Sequence, residues 1–455
     1  VTPNLRDVSN LRDMTSLKDA VFRDPAENLV DLTRKLSVAE AFGLLVDGDL
    51  PVRVTAYDGS STGPAESPYT LDLRTRRGVH YLAAAPGDLG LARAYVAGDL
   101  GVDGIEPGNP YPILRAISDL KLRRPNALQI AAITRSLGWD VFRPVAPPPQ
   151  ESPARWRRLT DGLRHSRTRD AEAISHHYDV SNTFYEHVLG PSMTYTCACY
   201  EDRAWSLEQA QENKYRLIFD KLRLTDGDRL LDIGCGWGGM VRYAARRGVR
   251  VVGATLSRRQ AEWAQKAIAD EGLTGLAEVR HSDYRDVTET EFDAVSSIGL
   301  TEHIGVTNYP DYFGFVQRKL RDGGLFLNHC ITRPGNLRAA RAGDFIDRYV
   351  FPDGELTGSG RIISDIQDIG MEVVHEENLR EHYALTLEQW CDNLVRNWDA
   401  CVAEVGEGTA KVWGLYLAGS RLGFERNVIQ LHHVLATKLG PDGRSTLPLR
   451  PWWNA

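Results

Sequence analysis

The chain has 455 residues, 42% of them hydrophobic and 25% charged, which is enough for two domains with a core each. A net charge of −7 argues against general nucleic-acid binding. No apolar run approaches the roughly 20 residues that span a bilayer, so membrane contact is expected to be peripheral. Six cysteines in so long a chain make neither a disulfide framework nor a C-x-x-C pair, so a reducing cytoplasm is expected and a metal site is not.

The first residues, Val1 to Asp7, show neither a basic nor an apolar leader region, and no secretory signal is expected. Up to about Val30 the chain reads as polar helix with frayed ends. Leu29 to Leu36, followed by Ala39 to Phe42, has helical spacing that is predicted to close at Gly48. Val52, Val54 and Ala56 alternate with Arg53, Thr55 and Tyr57, a half-buried strand ending at Asp58-Gly59. A second strand is predicted over Tyr69 to Arg74 and a short helix over Leu89 to Ala97, stopped by Gly98. Residues 1–143 thus read as a small α+β domain without a catalytic constellation, serving lipid binding or homodimerisation.

Pro144 to Pro149 is extended by composition and opens a linker over 144–173. It carries Arg155, Arg157, Arg158, Arg164, Arg167 and Arg169, with Trp156 among them. Such a run either meets anionic headgroups, at about 1 kcal/mol per cation, or is simply a solvated helix; charge runs are more often the second. Residues 174–455 alternate strand candidates (Leu230–Ile233, Val249–Ala254, Ala277–Arg280, Asp293–Ile298, Gly324–Asn328) with helices such as Arg259–Asp270 and Tyr312–Lys319. That alternation predicts an α/β fold with a parallel, doubly wound sheet. Beyond Leu385 the spacing of Leu387, Trp390, Leu394 and Trp398, then Val412, Tyr416 and Leu417, predicts a helical cover.

The chemical centre of this second unit is Leu231-Asp232-Ile233-Gly234-Cys235-Gly236-Trp237-Gly238-Gly239. A buried strand, a glycine turn and a helix beginning near Met240 allow a ligand to approach the backbone at the carboxyl edge of the sheet. The Gly234-x-Gly236-x-x-Gly239 spacing also fits a dinucleotide fingerprint, which expects an acidic residue after the second strand. Here that strand runs into Thr255-Leu256-Ser257, with no carboxylate, and the stretch from Leu231 to Gly239 instead resembles the first motif of S-adenosylmethionine (SAM) methyltransferases, which implies SAM rather than NAD.

Four further clusters could carry chemistry. Ile174 to Asp179, with Ser192 to Tyr200, gathers aromatics and cysteines upstream of the loop and could form a lid, although Cys197 and Cys199 also read as buried apolar groups. Glu302-His303 follows the fourth strand, and Asn328-His329-Cys330 ends the fifth, so strand order should bring His329 near Glu302. Asp283-Tyr284 follows the third strand, where an adenine amino group finds an acceptor.

Several of these stretches together resemble one family. His177-Tyr178-Asp179-Val180-Ser181-Asn182-x-Phe184-Tyr185, Met193 to Ala198, Leu231 to Gly239, Thr255-Leu256-Ser257-x-x-Gln260, Glu302-His303 and Tyr383 occur in the order found in the cyclopropane fatty acid synthases, which include the mycolic acid cyclopropane synthases. The resemblance spans about Ile174 to Lys438, and the amino-terminal portion more weakly resembles the extra domain of phospholipid-acting members. It implies SAM as methyl donor, the cis double bond of an unsaturated phospholipid chain at the bilayer surface as acceptor, and a bicarbonate ion in the site. By motif position Tyr195, Thr196, Gly234, Gly236, Thr255, Gln260, Asp283 and Tyr284 would hold SAM, with Asp232 and Gly238 in the same loop motif. Cys197, Glu302, His329 and Tyr383 would cradle bicarbonate near the Ile331 backbone, and the faces of Tyr178 or Tyr195 would stabilise a carbocation.

Thr301, where many cyclopropane-formers carry Phe, and Cys330-Ile331-Thr332 resemble the actinobacterial branch that makes a methylene product for 10-methyl stearate. A separate reductase would then act on that product. Cyclopropane formation is the alternative, and small-molecule amine methylation or non-catalytic lipid binding are others. The setting implied is the cytoplasmic face of the membrane, bound peripherally.

Overall fold

The computed structural model describes residues 34–336, except Arg124 and 153–180, and residues 340–453, except 342, 352–353 and 446. The arginine-rich stretch and Tyr178 lie outside the described residues. The first helix, Val38–Gly43, starts where Ser37 and Glu40 close a reciprocal capping box. Gly48 does not end it, contrary to the expectation from spacing, because strand β1 (Val46–Asp47) intervenes and pairs with β6 (Lys121–Leu122).

A four-stranded sheet follows, in the order β3-β2-β4-β5, from β2 (Arg53–Ala56), β3 (Ser61–Thr62), β4 (Thr70–Leu73) and β5 (Leu100–Asp103). Alternation in β2 and β4 turns Val54, Leu71 and Leu73 to one face, where Tyr81 and Ala94 of helices Arg76–Ala84 and Asp88–Val96 cover them. The predicted strands and short helix are therefore present, one or two residues displaced.

The second sheet has seven strands in the order β14-β15-β11-β10-β7-β8-β9. They are β7 (Arg229–Ile233), β8 (Arg250–Thr255), β9 (Ala277–His281), β10 (Phe292–Ile298), β11 (Leu320–Thr332), β14 (Glu372–Asn378) and β15 (Gln430–Thr437). The remaining pair, β12 (Ala340–Arg341) and β13 (Glu355–Leu356), stands apart. The five strands from β7 to β11 are parallel, as β/α alternation predicts.

The expectation of a wholly parallel sheet needs correction at its edge, where β15 runs against both β11 and β14. Asn378, at the end of β14, pairs with His432 near the start of β15, so the helices between them leave and re-enter at one edge of the sheet. A strand that re-enters at the edge its predecessor left must run back. Those helices, Arg380–Arg396, Trp398–Val405 and Glu407–Glu425, form the predicted helical cover and pack Trp390, Leu394, Trp413 and Leu417 in the core beside Tyr185 and Trp237. No helix among the described residues is long and apolar enough to cross a membrane.

Candidate active site

At the carboxyl ends of the parallel strands the glycine loop turns through three left-handed residues, Gly234 (φ 74°), Gly236 (φ 54°) and Gly238 (φ 74°). Backbone N–H groups of Gly234 and Cys235 both donate to the Ala254 carbonyl of the neighbouring strand, at 2.9 and 3.1 Å, which holds the loop open. Glycine is needed for closeness as well as for φ: a Cβ on Gly239 would lie 1.9 Å from the Tyr215 hydroxyl. After β8, Thr255 Oγ1 donates to Gln260 Oε1 at 2.8 Å, and Ser257 caps the helix Arg258–Asp270. Trp237 Nε1 donates to Asn182 Oδ1 at 3.0 Å, tying the loop to helix Asn182–Leu189.

This loop opens on a single cavity of about 1400 Å³, beyond the ~300–1,000 Å³ of ordinary small-molecule clefts. Tyr195, Thr196, Asp232, Gly234, Gly236, Thr255, Gln260 and Tyr284 line one part, and Glu302, His329 and Tyr383 line another. The rest of the lining is largely apolar and includes Leu415, Leu422 and Ile429 together with Leu71, Val102 and Ile113 of the amino-terminal sheet and its helices, an apolar arm of the same cavity. The shape suits a long, largely apolar ligand that meets a polar one at the glycine loop.

The end lined by Glu302 and His329 is buried and made of titratable groups. Ile298 of β10 lies opposite His329 of β11, and the four-residue helix Thr301–Ile304 follows at once, which brings Glu302 over the same edge. The Ile331 N–H donates to Glu302 Oε1 at 2.6 Å, and alternation along β11 puts Ile331 on the face of His329. Glu302 Oε2 and His329 Nε2 are buried without a hydrogen-bond partner among the described residues. Burial raises the Glu302 carboxyl to about 7, opposed by the Ile331 amide, and burial with nearby Lys214 and Lys221 pushes the His329 imidazolium well below its ordinary range. A buried acceptor and a neutral imidazole facing one space, each short of a partner, fit a small polar ligand or ion between them. Tyr383 lines this end, its ring 4.4 Å from that of Phe424 and tilted 34° to it.

Three proposed site residues sit differently. Cys197 is buried, but its thiol donates to the carbonyls of Ala198 (3.2 Å) and Leu379 (3.8 Å) and does not line the cavity. Asp283 does not line it either: its carboxylate accepts from Arg285 Nε at 2.7 Å and Nη2 at 2.5 Å, while Ser282 and Tyr284 beside it face inward. Gly238 faces Ala264 and Val279 and shapes the turn from behind. Thr301, read as a product determinant, is buried behind the lining with its hydroxyl donating to Asn328 Oδ1 at 2.5 Å.

The sequence reading missed Lys214, which lines the cavity fully buried, donates to Thr196 Oγ1 at 2.9 Å, and is brought by burial down to about 7. Its signal was present: Gln211, Lys214, Ile218 and Lys221 share the inward face of helix Leu207–Lys221, where core spacing calls for apolar residues. Asp232, also buried, accepts from Ser296 Oγ at 2.6 Å, and burial raises it to about 6.

Residues 165–434 match the model of the mycolic acid cyclopropane synthetase family. The chain is 66% identical over 424 residues to a probable fatty acid methyltransferase of Mycobacterium tuberculosis, covering 93% of this chain and 99% of that one. It is 31% identical over 412 residues to the tuberculostearic acid methyltransferase UfaA1 of the same organism, covering 86% and 89%. The crystal structure of mycolic acid cyclopropane synthase CmaA1 complexed with SAH and CTAB shares 30% identity and a TM-score of 0.55, covering 59% of this chain and 98% of that one. The chain belongs to the mycolic acid cyclopropane synthetase family and is a SAM-dependent methyltransferase.

Proposed function

We propose that the protein methylates the cis double bond of an unsaturated phospholipid acyl chain and releases a methylene-branched chain, which a separate reductase would convert to a methyl branch. The observation that carries this reading is the pairing of Glu302 Oε2 and His329 Nε2, buried and unpartnered, at the junction of the glycine loop with an apolar arm. Amine methylation needs neither the arm nor a buried base site. The likeness to a tuberculostearic acid methyltransferase supports the branched product.

SAM, when bound, supplies a sulfonium methyl; Gly234, Gly236, Thr255, Gln260, Tyr195 and Thr196 would hold it. An alkene is a weak nucleophile, so the chain's first task is to hold the double bond in line and keep water out. Leu415, Leu422, Phe424 and Ile429 do this along the arm. Tyr195, packed against Trp390 at 5.4 Å and Trp413 at 5.8 Å, offers a fixed aromatic face to positive charge developing on the acyl chain. Glu302, His329 and Tyr383 would hold bicarbonate, a small base suited to collecting the departing proton. Glu302, raised to about 7, exchanges a proton near neutrality and so sets the protonation of whatever it holds.

The acyl chain would enter from a bilayer at the amino-terminal mouth of the arm. Ile130 and Phe142 both line the arm and reach solvent, next to Leu128 (72% exposed) and Trp139 (80% exposed). Replacing Leu128 and Trp139 together by Ser should cut vesicle binding about tenfold, from lost apolar burial, and leave turnover of a detergent-dispersed substrate unchanged. Equal loss in both assays would move the mouth elsewhere.

Incubation with methyl-labelled SAM and oleoyl phospholipid vesicles tests the whole reading. Label should enter the acyl chains, and NMR of the product should show exocyclic methylene protons. Ring protons of a cyclopropane would overturn the product assignment, and label confined to soluble amines would overturn the lipid assignment.

A further inference from the structure

Behind His329 a string of polar side chains runs from the chamber to the protein surface. The sheet register sets His329 of β11 opposite His433 of β15, and His433 opposite Glu377 of β14. His329 Nδ1 lies 2.8 Å from His433 Nε2, and His433 Nδ1 lies 3.1 Å from Lys221 Nζ. Lys221, whose side chain is wholly buried, bonds the Glu377 carboxylate, which is 35% exposed. The ring of Trp453 covers the ammonium at 5.5 Å.

Each link has one workable direction. Burial lowers Lys221 and the Glu377 carboxylate bonded to it opposes that; an ammonium has donors and no lone pair, so Lys221 paired with Glu377 donates to His433 Nδ1. Burial, with Lys221, His329, Lys214 and His375 nearby, keeps His433 neutral, so its single proton sits on Nε2 and is donated to His329 Nδ1. His329 is neutral for the same cause and must carry its own proton on Nε2. That atom is buried without a partner among the described residues, on a ring that lines the cavity.

We infer that Lys221 and His433 are positioning residues that lock His329 as the Nε2–H tautomer, so the chamber receives a hydrogen-bond donor from this ring and never an acceptor. The inference rests on reading the Glu302–His329 chamber as the reacting site. It narrows what faces the ring to an oxygen acceptor, such as that of a small oxyanion. It also removes His329 from the candidates for taking the substrate proton. The charged or titratable groups around Lys221 are Glu377 and His375 on β14, His433 on β15 and Cys199 from the segment above the helix. Glu377 is the anion that keeps the string polarised inward.

Long-range proton–nitrogen NMR on the full chain labelled at histidine nitrogen tests this without substrate, His329 being assigned by loss of its signals in His329→Asn. The wild type should show His329 as Nε2–H, and finding Nδ1–H would overturn the inference outright. His433→Leu and Lys221→Met should each release the tautomer and lower kcat about tenfold to a hundredfold, with the KM for SAM unchanged. His433→Gln should restore both, because its amide oxygen accepts from Lys221 while its amide nitrogen donates to His329. A Gln variant as poor as Leu in tautomer and kcat would reduce His433 to a packing role and refute the proposal. An Nε2–H tautomer in a protein whose His329→Asn variant keeps full kcat would instead sink the reading of the chamber and leave the string standing.

Discussion

At the glycine-loop end of the cavity the chain presents backbone, and at the other end it presents ionisable side chains in a dry wall. The loop takes most of its shape from nine consecutive residues and two anchoring amide bonds to Ala254. The chamber is assembled from the helix Thr301–Ile304 after β10, two positions on β11, helices Arg380–Arg396 and Leu207–Lys221, and the reversed strand β15. In the first region the glycines leave room for a ligand beside the backbone, and Asp232 is the buried carboxyl at its edge. The second works by denying charge its water, so that Glu302 reaches about 7 and Lys214 falls to about 7. Binding and chemistry should therefore separate under mutation.

The sharpest separation is expected at Glu302. Glu302→Gln keeps the shape and the acceptor for the Ile331 amide but removes the exchangeable proton. Turnover should fall by roughly 10² to 10⁴, the usual worth of a placed acid or base, while calorimetric affinity for S-adenosylhomocysteine stays nearly constant. Equal loss of both would erase the distinction between the two ends. The mirror experiment is Gly236→Asp. A Cβ there meets nothing nearer than Gln260 Nε2 at 3.9 Å, so there is room for the carbon, but a side chain at φ 54° strains the backbone and the carboxylate would enter the cavity. Ligand affinity should drop at least about a hundredfold, nearly 3 kcal/mol, while the protein still unfolds cooperatively with a thermal midpoint lowered only by the local strain at this turn. Retained binding would show that the loop is not where the nucleotide sits.

The same contrast explains what the sequence could and could not say. The loop was legible because its constraints are local: Gly234, Gly236 and Gly238 each need positive φ, and the runs before and after them have strand and helix periods. Glu302 and His329 were legible as neighbours because adjacent parallel strands end at one edge. β15 was not found, since Leu431 to Ala436 is buried throughout and shows no alternation to distinguish it from a core helix. His433 and the role of Lys221 escaped because their meaning lies in contacts between distant segments, such as the Lys221–His433 bond across 212 residues. Cys197 was placed by motif, yet only the fold reveals that its thiol turns to the Leu379 carbonyl.

A smaller effect tests the dry chamber on its own terms. Burial raises the carboxyl of Glu302 to about 7 and that of Asp232 to about 6, so each binds its proton more tightly folded than unfolded. Stability from such groups is fully present below the unfolded carboxylate range and is lost as pH climbs through the folded values. Wild-type protein should therefore lose stability between about pH 4 and pH 7, on the order of 3 kcal/mol from Glu302. Glu302→Gln removes that dependence: its thermal midpoint should exceed the wild type near pH 8 and converge with it near pH 5. An inactive variant that is the more stable one at alkaline pH is what a carboxyl kept for chemistry, at a cost to the fold, predicts. Parallel midpoint curves would mean that water reaches Glu302, and the contrast between a binding end made of backbone and a reacting end made of desolvated charge would fail with it.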